Sequence, residues 1–399
     1  MTYLPHLHIA SEDDVRKGKT TDIYFVRTKQ ILDAKGLSDR RVVAEVTPSS
    51  LPENWRWAVL CGIEEEMALF EGRNVDIYAM PEGTIIRQKD HRHIREPVIV
   101  IDGPYGEFCE LETPLLGLIC QASGIATMAA RVRKAAGKKL LVSFGIRRAH
   151  PALSPMIDRA AYIGGFDGVS SLKGAEIIGK DPTGTMPHAL ILVMGDQVAA
   201  WKAFDEVMPP EIPRIALVDT LYDEKIEAIL AAEALGSRLD GVRLDTPSSR
   251  RGDFAEIARE VRWELDVRGF DRVKIVASGG FDEVKILELG DAPVDGFGVG
   301  TSISNAPTVD FAMDIVEIEG RPIAKRGKLG GRKQVHRCTN CFVDVVALSR
   351  AKPPICPKCR GRMTSLLKPL MKAGKLATKI PSPDEIRESV LQQLENVNL

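Results

Sequence analysis

The sequence predicts an α/β protein: an irregular (β/α) barrel with a β-rich N-terminal domain and a small C-terminal zinc-ribbon-like module. Three observations predict it. Between about residues 125 and 301, short β-type runs alternate with helical patterns six times, the pattern of a parallel sheet with helices outside it. Two glycine-rich turns, Ser278-Gly279-Gly280 and Gly298-Val299-Gly300-Thr301, follow the last two runs, where barrels hold phosphate on free backbone amides. Two CxxC pairs, Cys338/Cys341 and Cys356/Cys359, stand fourteen residues apart, close to the spacing of a four-thiolate zinc ribbon.

Taken in order, the elements support that division. Residues 1–112 contain short apolar runs at 41–46, 56–60, 75–78, 84–87 and 97–102, separated by Pro, Gly and Asp, which reads as the β-rich domain. A long helical stretch over 113–136 then leads into a barrel domain spanning 113–305. Its strands are expected at 139–144, 168–171, 214–219, 241–245, 273–277 and 296–299, and its helices at 155–163, 189–207, 223–235 and 254–267, where apolar residues recur every three or four positions. No run reads as an antiparallel edge, so closure into a barrel is expected over an open sheet. Residues 306–333, with strands at 313–319 and 321–325, form a return segment to the N-terminal domain. The zinc-ribbon-like module covers 334–364 and a charged tail 365–399.

At 399 residues the chain exceeds one ordinary domain and accommodates a barrel of about 200–250 residues plus additions. Its 54 basic and 55 acidic residues give a net charge of -1, so no global electrostatic attraction to nucleic acid or membrane is expected. The absence of an apolar run of about 18 residues and of a basic-then-apolar leader pattern leads us to expect a cytoplasmic protein with no membrane partner. Of seven cysteines, Cys61, Cys109 and Cys120 lie among apolar residues as small core side chains do. The other four, reduced in a cytosolic chain, are available to metal as one structural Zn2+ site.

The strand ends carry the chemistry. They read Ser143-Phe144-Gly145-Ile146-Arg147-Arg148, Ser170-Ser171-Leu172-Lys173, Asp219-Thr220, Arg243-Leu244-Asp245-Thr246, and the two glycine turns. Polar groups at the carboxyl ends of parallel strands are where barrel enzymes keep their active sites. Arg147, Arg148, Arg243 and Lys173 suit anionic groups, and Asp219 and Asp245 suit Mg2+ or ribose hydroxyls. In Thr183-Gly184-Thr185-Met186-Pro187-His188 a histidine opens a helix after a Gly-Thr turn, a placement that lowers imidazole basicity and favours a phosphate on the ring.

With these residues in view, most of the chain resembles nicotinate phosphoribosyltransferase. Thr21-Asp22-Ile23-Tyr24 is similar to the family's TDxY motif, 144–148 to its FGxRR strand end, 166–171 to its GTSN strand, and 183–190 to its GTxxHE region. The resemblance implies that the phosphoribosyl group of phosphoribosyl pyrophosphate passes to nicotinate, and that ATP phosphorylates His188 to drive the reaction. It implies further that Tyr24 reaches a neighbouring subunit's site in a homo-oligomer and Phe144 stacks on the pyridine. Arg147 contacts phosphate or carboxylate. Ser170, where nicotinamide-using relatives carry Asp, favours the acid substrate. Asp219, Asp245 and Arg243 would hold diphosphate and ribose, while Ser278, Gly279, Gly280, Gly298, Gly300 and Thr301 surround the 5′-phosphate. Arg148, Lys173 and Thr185 are expected as further substrate contacts. The chain departs from the family at Ala189, where a Glu is usual. Its cysteine module resembles the extra C-terminal knuckle of shorter archaeal-type members.

Alternatives are quinolinate or nicotinamide phosphoribosyl transfer and, from another class, a zinc-ribbon protein that binds RNA or protein. The region 325–362 is locally basic but has only Phe342 as an aromatic, so no stacking platform supports nucleic acid as a partner.

Overall fold

A computed structural model describes residues 7–52, 55–247, 249 and 252–399. The chain divides into two compact units, Met1–Thr127 with Pro307–Leu399, and Met128–Ala306.

The second unit is built on six parallel strands in the order Gly168–Val169, Leu140–Ser143, Gly296–Val299, Lys274–Ala277, Gly241–Leu244, Ile215–Leu217. All six expected strands are present, and they are buried because helices cover a parallel sheet and its strands are correspondingly apolar. Closure is not. Among the described residues the edge strands Gly168–Val169 and Ile215–Leu217 do not pair, so the sheet is a half-barrel. The chain at 183–186 runs along the first edge, with Thr183 N donating to Val169 O at 2.8 Å, while Met186 O accepts from Arg243 Nη2 at 3.0 Å. A ladder cannot develop there because Gly184 and Pro187 interrupt it.

The expected helix 189–207 is two helices, His188–Met194 and Gln197–Val207. Gly195 ends the first, and Asp196 caps the second by accepting from Ala199 N at 2.6 Å. Helices Glu224–Leu235 and Phe254–Asp266 are likewise capped, by Asp223 and Asp253.

In the first unit, seven strands form a sheet ordered Arg321–Pro322, Asp310–Ile318, Arg41–Ser50, Ile99–Pro104, Asp76–Ala79, Lys368–Lys372, Lys375–Leu376. The strand that follows the half-barrel pairs antiparallel along Arg41–Ser50, from Val42 opposite Ile318 to Ser50 opposite Asp310. One core packs against this sheet and includes Val46, Leu60, Phe70, Ile77, Ile101, Phe108, Leu115 and Met371. A second, three-stranded sheet, Asp344–Leu348, Lys333–Cys338, Met363–Ser365, carries the cysteine pairs.

Helix Glu112–Ala136 connects the units along the chain. With its preceding turn it is long and apolar enough to cross a membrane, yet 67% of its most apolar window is buried within the fold. Its Thr127 Oγ1 and Ser123 Oγ accept from the buried amides of Val59 and Cys61, which pairs these two donors where the strand Ala58–Val59 meets the helix.

Glu66 breaks the pattern of this core. It is 1% exposed, and among the described residues neither carboxylate oxygen has a hydrogen-bond partner. Burial first, then Glu65, pushes its carboxyl well above the usual range. Because the unfolded state ionises first, its contribution is most favourable below the unfolded value and is lost as pH rises above it. Glu66→Met should therefore raise the unfolding free energy at pH 8 by about 1–3 kcal/mol, with the gain shrinking toward pH 5. Denaturant melts at both pH values measure this, and a gain that is larger at pH 5 contradicts it.

Candidate active site at the half-barrel strand ends

The ends of the parallel strands project five groups into one region of the second unit, and His188 joins them from a helix start. Asp219 follows Ile215–Leu217, and Arg243 and Asp245 end and follow Gly241–Leu244. Ser278 follows Lys274–Ala277, Phe144 follows Leu140–Ser143, and His188 opens its helix beside the unpaired edge. His188 Nε2 lies 3.6 Å from Asp245 Oδ2 and 3.9 Å from Asp219 Oδ1. Asp245 N donates to Asp219 Oδ2 at 3.0 Å, and Ser278 Oγ donates to Asp245 Oδ1 at 2.9 Å. Arg243 Nη1 stands 4.0 Å from Asp245 Oδ2, and its guanidinium lies 5.9 Å from the centre of the Phe144 ring.

The acidic pair is held under electrostatic load. The Asp219 side chain is 4% exposed, and burial, then the neighbouring Asp245, pushes its carboxyl up to about 7. Among the described residues its Oδ1 has no hydrogen-bond donor. A buried acceptor without a donor, beside a second carboxylate, is a donor set suited to a hard cation such as Mg2+.

Gly298 makes room for an aromatic ring. A Cβ there would fall 2.3 Å from Phe144 Cδ2 and 3.1 Å from Ser278 Cβ, so any side chain at 298 displaces the ring. Gly279 and Gly280 have φ of +92° and +85°, and Lys285 Nζ donates to Gly280 O at 2.6 Å. Gly300 precedes the short helix Thr301–Ser304, where Thr301 is exposed.

The other expected site residues are placed as follows. Arg147 and Arg148 lie on the exposed 3₁₀ turn Ile146–Arg148, and the Arg147 charge is felt at Arg243. Ser170 and Thr185 are half-buried. Lys173 points along helix Leu172–Ile178 to Glu176 at 2.5 Å, an exposed pairing. Tyr24 belongs to the first unit and is 56% exposed on helix Ile23–Ala34. Of three further groups near the cluster, Asp158 and Glu227 carry no sequence signal, and Thr220 is read only as part of a strand end. Asp158, 0% exposed, accepts from Ser143 Oγ, Ser171 N and Ser171 Oγ at 2.9, 3.0 and 2.5 Å. Thr220 contacts His188, and Glu227 holds the turn that carries Thr220.

Comparison with known proteins follows this geometry. Residues 22–123 match the family model of the quinolinate phosphoribosyl transferase N-terminal domain, and 125–314 that of its C-terminal domain. The nicotinate phosphoribosyltransferase pncB1 of Mycobacterium tuberculosis is 33% identical over 297 residues, 70% of this chain and 64% of that protein. The crystal structure of nicotinate-nucleotide pyrophosphorylase from Pyrococcus furiosus is 56% identical with a TM-score of 0.94, covering 99% of this chain and 100% of that one. The chain belongs to the quinolinate phosphoribosyl transferase family, whose two domain models together span most of it, and its curated relatives are named nicotinate phosphoribosyltransferases. It spans about two thirds of the length of the mycobacterial relative, at 64%. The human nicotinic acid phosphoribosyltransferase structure, 20% identical with a TM-score of 0.76 and coverage of 95% and 94%, shares the fold.

This family member also carries a thiol cluster in its first unit. The sulfurs of Cys338, Cys341, Cys356 and Cys359 all lie within 4.8 Å of one another, with Cys338 to Cys359 at 3.3 Å and Cys341 to Cys356 at 3.4 Å. Four thiolates about 2.3 Å from a tetrahedral zinc ion stand about 3.8 Å apart, so the cluster needs little adjustment to close on one. Backbone donors, Cys359 N foremost, pull the Cys356 thiol down to about 6, while its neighbour Cys341 is pushed up to about 12, so it is the close grouping of the four sulfurs that suits a metal. The surrounding core is small, Cys338, Val345, Cys356 and Met363 with Cys341 and Val343 packed against them, so metal should supply much of the local folding free energy. Protein purified without chelator should contain about one zinc per chain. Stripping it should speed hydrogen exchange over 334–364 and leave the half-barrel folded. Well under one zinc by elemental analysis, or unfolding of the half-barrel on stripping, contradicts this.

Proposed function

We propose that the protein transfers the phosphoribosyl group of phosphoribosyl pyrophosphate to nicotinate, giving nicotinate mononucleotide and pyrophosphate for NAD biosynthesis, and that ATP hydrolysis is coupled to this through a phosphate carried on His188. The observation that carries the reading is the convergence of Asp219, Asp245, Arg243, His188 and Phe144 at one set of parallel strand ends. The names of the relatives support it.

In the reaction the pyridine nitrogen forms a bond to the anomeric carbon as the bond from that carbon to the pyrophosphate oxygen breaks, its electron pair leaving with pyrophosphate. A pyridine nitrogen is already a free base, so no general base is needed, and the protein contributes position and charge. Phe144 offers one ring face for stacking, and Tyr24 of a partner subunit offers the other, so the working unit is a homo-oligomer with shared sites. Arg147, Arg148, Lys173 and Arg243 meet the carboxylate and phosphate charges. Ser170 and Thr185 line the substrate, with Ser170 leaving room for the nicotinate carboxylate. The turns at Ser278, Gly279, Gly280, Gly298, Gly300 and Thr301 take the 5′-phosphate. Mg2+ held by Asp219 and Asp245 would supply counter-charge for the diphosphate. The zinc cluster is structural, and the protein acts in the cytoplasm.

A second reading, transfer to quinolinate with release of carbon dioxide, is favoured by the names of the family models that match. Purified protein with phosphoribosyl pyrophosphate, Mg2+ and nicotinate, nicotinamide or quinolinate, with and without ATP, separates these. Mononucleotide from nicotinate at a higher rate with ATP is expected. Equal turnover of nicotinamide, or carbon dioxide from quinolinate, overturns the assignment.

Two substitutions sharpen it. Ser170→Asp places a carboxylate beside a carboxylate and should raise KM for nicotinate at least about tenfold, with a smaller effect on the donor; equal effects on both contradict the role of Ser170. His188→Ala should lose label from γ-labelled ATP and the ATP-dependent rate increase while keeping ATP-independent synthesis. Retention of label, or complete loss of synthesis, contradicts the phosphate-carrier role.

A further inference from the structure

We propose that Thr220, fixed by the buried carboxylate of Glu227, is the positioning residue that sets the orientation of the His188 imidazole. His188 is the first residue of a seven-residue helix whose preceding residue, Pro187, provides no side-chain cap, and the next residue, Ala189, has no polar side-chain atom to offer the ring. The imidazole is 39% exposed, so packing alone does not lock its second torsion, which is soft for a planar ring. Among the described residues, the ring's close hydrogen bond comes from another strand end, where Thr220 Oγ1 lies 3.0 Å from His188 Nδ1. With Nδ1 engaged there, Nε2 is the atom turned toward Asp245 and Asp219, at 3.6 and 3.9 Å. The partner of one ring nitrogen decides what the other can do.

Thr220 can serve this purpose only if its own backbone is held, and Glu227 holds it. Glu227 is 0% exposed on helix Glu224–Leu235. Its Oε2 accepts from Thr220 N at 3.0 Å, and its Oε1 accepts from Leu221 N at 2.7 Å and Tyr222 N at 2.9 Å. Three backbone donors converging on one buried carboxylate form charge-assisted bonds stronger than neutral ones, and they fix the turn after Ile215–Leu217 from inside. The same helix makes a second tie, as Glu224 Oε1 accepts from Thr246 Oγ1 at 2.5 Å, one residue past Asp245. Helix Glu224–Leu235 thus clamps the turns that carry both members of the acidic pair and the hydroxyl that orients the histidine.

The inference rests on the reading of His188 as a phosphate carrier only for its kinetic consequence; the orientation itself is tested without turnover. The ring nitrogens of His188, assigned among the seven histidines by comparison with His188→Ala, are followed by 15N NMR in the ligand-free protein. The wild type should show one tautomer, Thr220→Val a mixture of both, and Thr220→Ser the wild-type pattern again, because serine keeps the hydroxyl. Glu227→Gln, which sets an amide group against amide donors, should fall between. In turnover, Thr220→Val should reduce the ATP-dependent rate increase about five- to tenfold, more than it reduces ATP-independent synthesis, with recovery in Thr220→Ser. An unchanged tautomer in Thr220→Val, or a serine variant as altered as the valine one, overturns the proposal. If the wild type makes no mononucleotide the proposed function fails, and the NMR comparison still decides the role of Thr220.

Discussion

A nearly dry carboxyl group, Asp219, is the constraint around which the half-barrel site is arranged. With its side chain 4% exposed, an isolated charge there would cost several kcal/mol, and the neighbouring Asp245 adds to the load. The structure answers with a backbone donor from Asp245, a guanidinium from Arg243 and an imidazole from His188. None of these neutralises the pair completely, and Asp219 Oδ1 has no hydrogen-bond donor among the described residues. A site in this condition is primed for a cation or for a ligand that brings one. That is the electrostatic requirement of a reaction whose leaving group is pyrophosphate.

Parallel strands make such a concentration of polar groups possible. Their carboxyl ends lie on one side of the sheet, so the residues that follow each strand meet without any being adjacent in sequence. Incomplete closure contributes as well. Because the chain at 183–186 runs beside the edge strand instead of extending the ladder, His188 opens its helix at the gap and faces the acidic pair from the side.

Much of this was legible along the chain, and what was not has a physical reason. Six apolar runs ending in polar residues located the strands of the half-barrel, because fully buried strands must be apolar and strand-end groups need not be. The cysteine spacing located the thiol cluster, since two CxxC turns carry their geometry locally. The break at Gly195 and Asp196 was masked by apolar periodicity that continues across it. The seat that Gly298 provides for Phe144 depends on two strands lying side by side, and a glycine after an apolar run reads equally well as a phosphate turn. Glu227 and Asp158 were silent, and Thr220 was visible only as part of a strand end, because each acts through a partner on another element that the fold alone brings within hydrogen-bond distance. Tyr24 lies exposed on a helix of the first unit, and the role proposed for it depends on a partner subunit.

The central claim is that these strand ends together form one site for a pyridine mononucleotide and pyrophosphate. Hydrogen exchange measured with and without nicotinate mononucleotide plus pyrophosphate and Mg2+ tests it most directly. The account predicts slowed exchange over 144–148, 170–173, 219–222, 243–246, 278–281 and 300–302 together, and none of it in an Asp245→Asn variant that remains folded. Protection confined to the region of the cysteine cluster, or absent from these turns at ligand concentrations that saturate the protein, would contradict it.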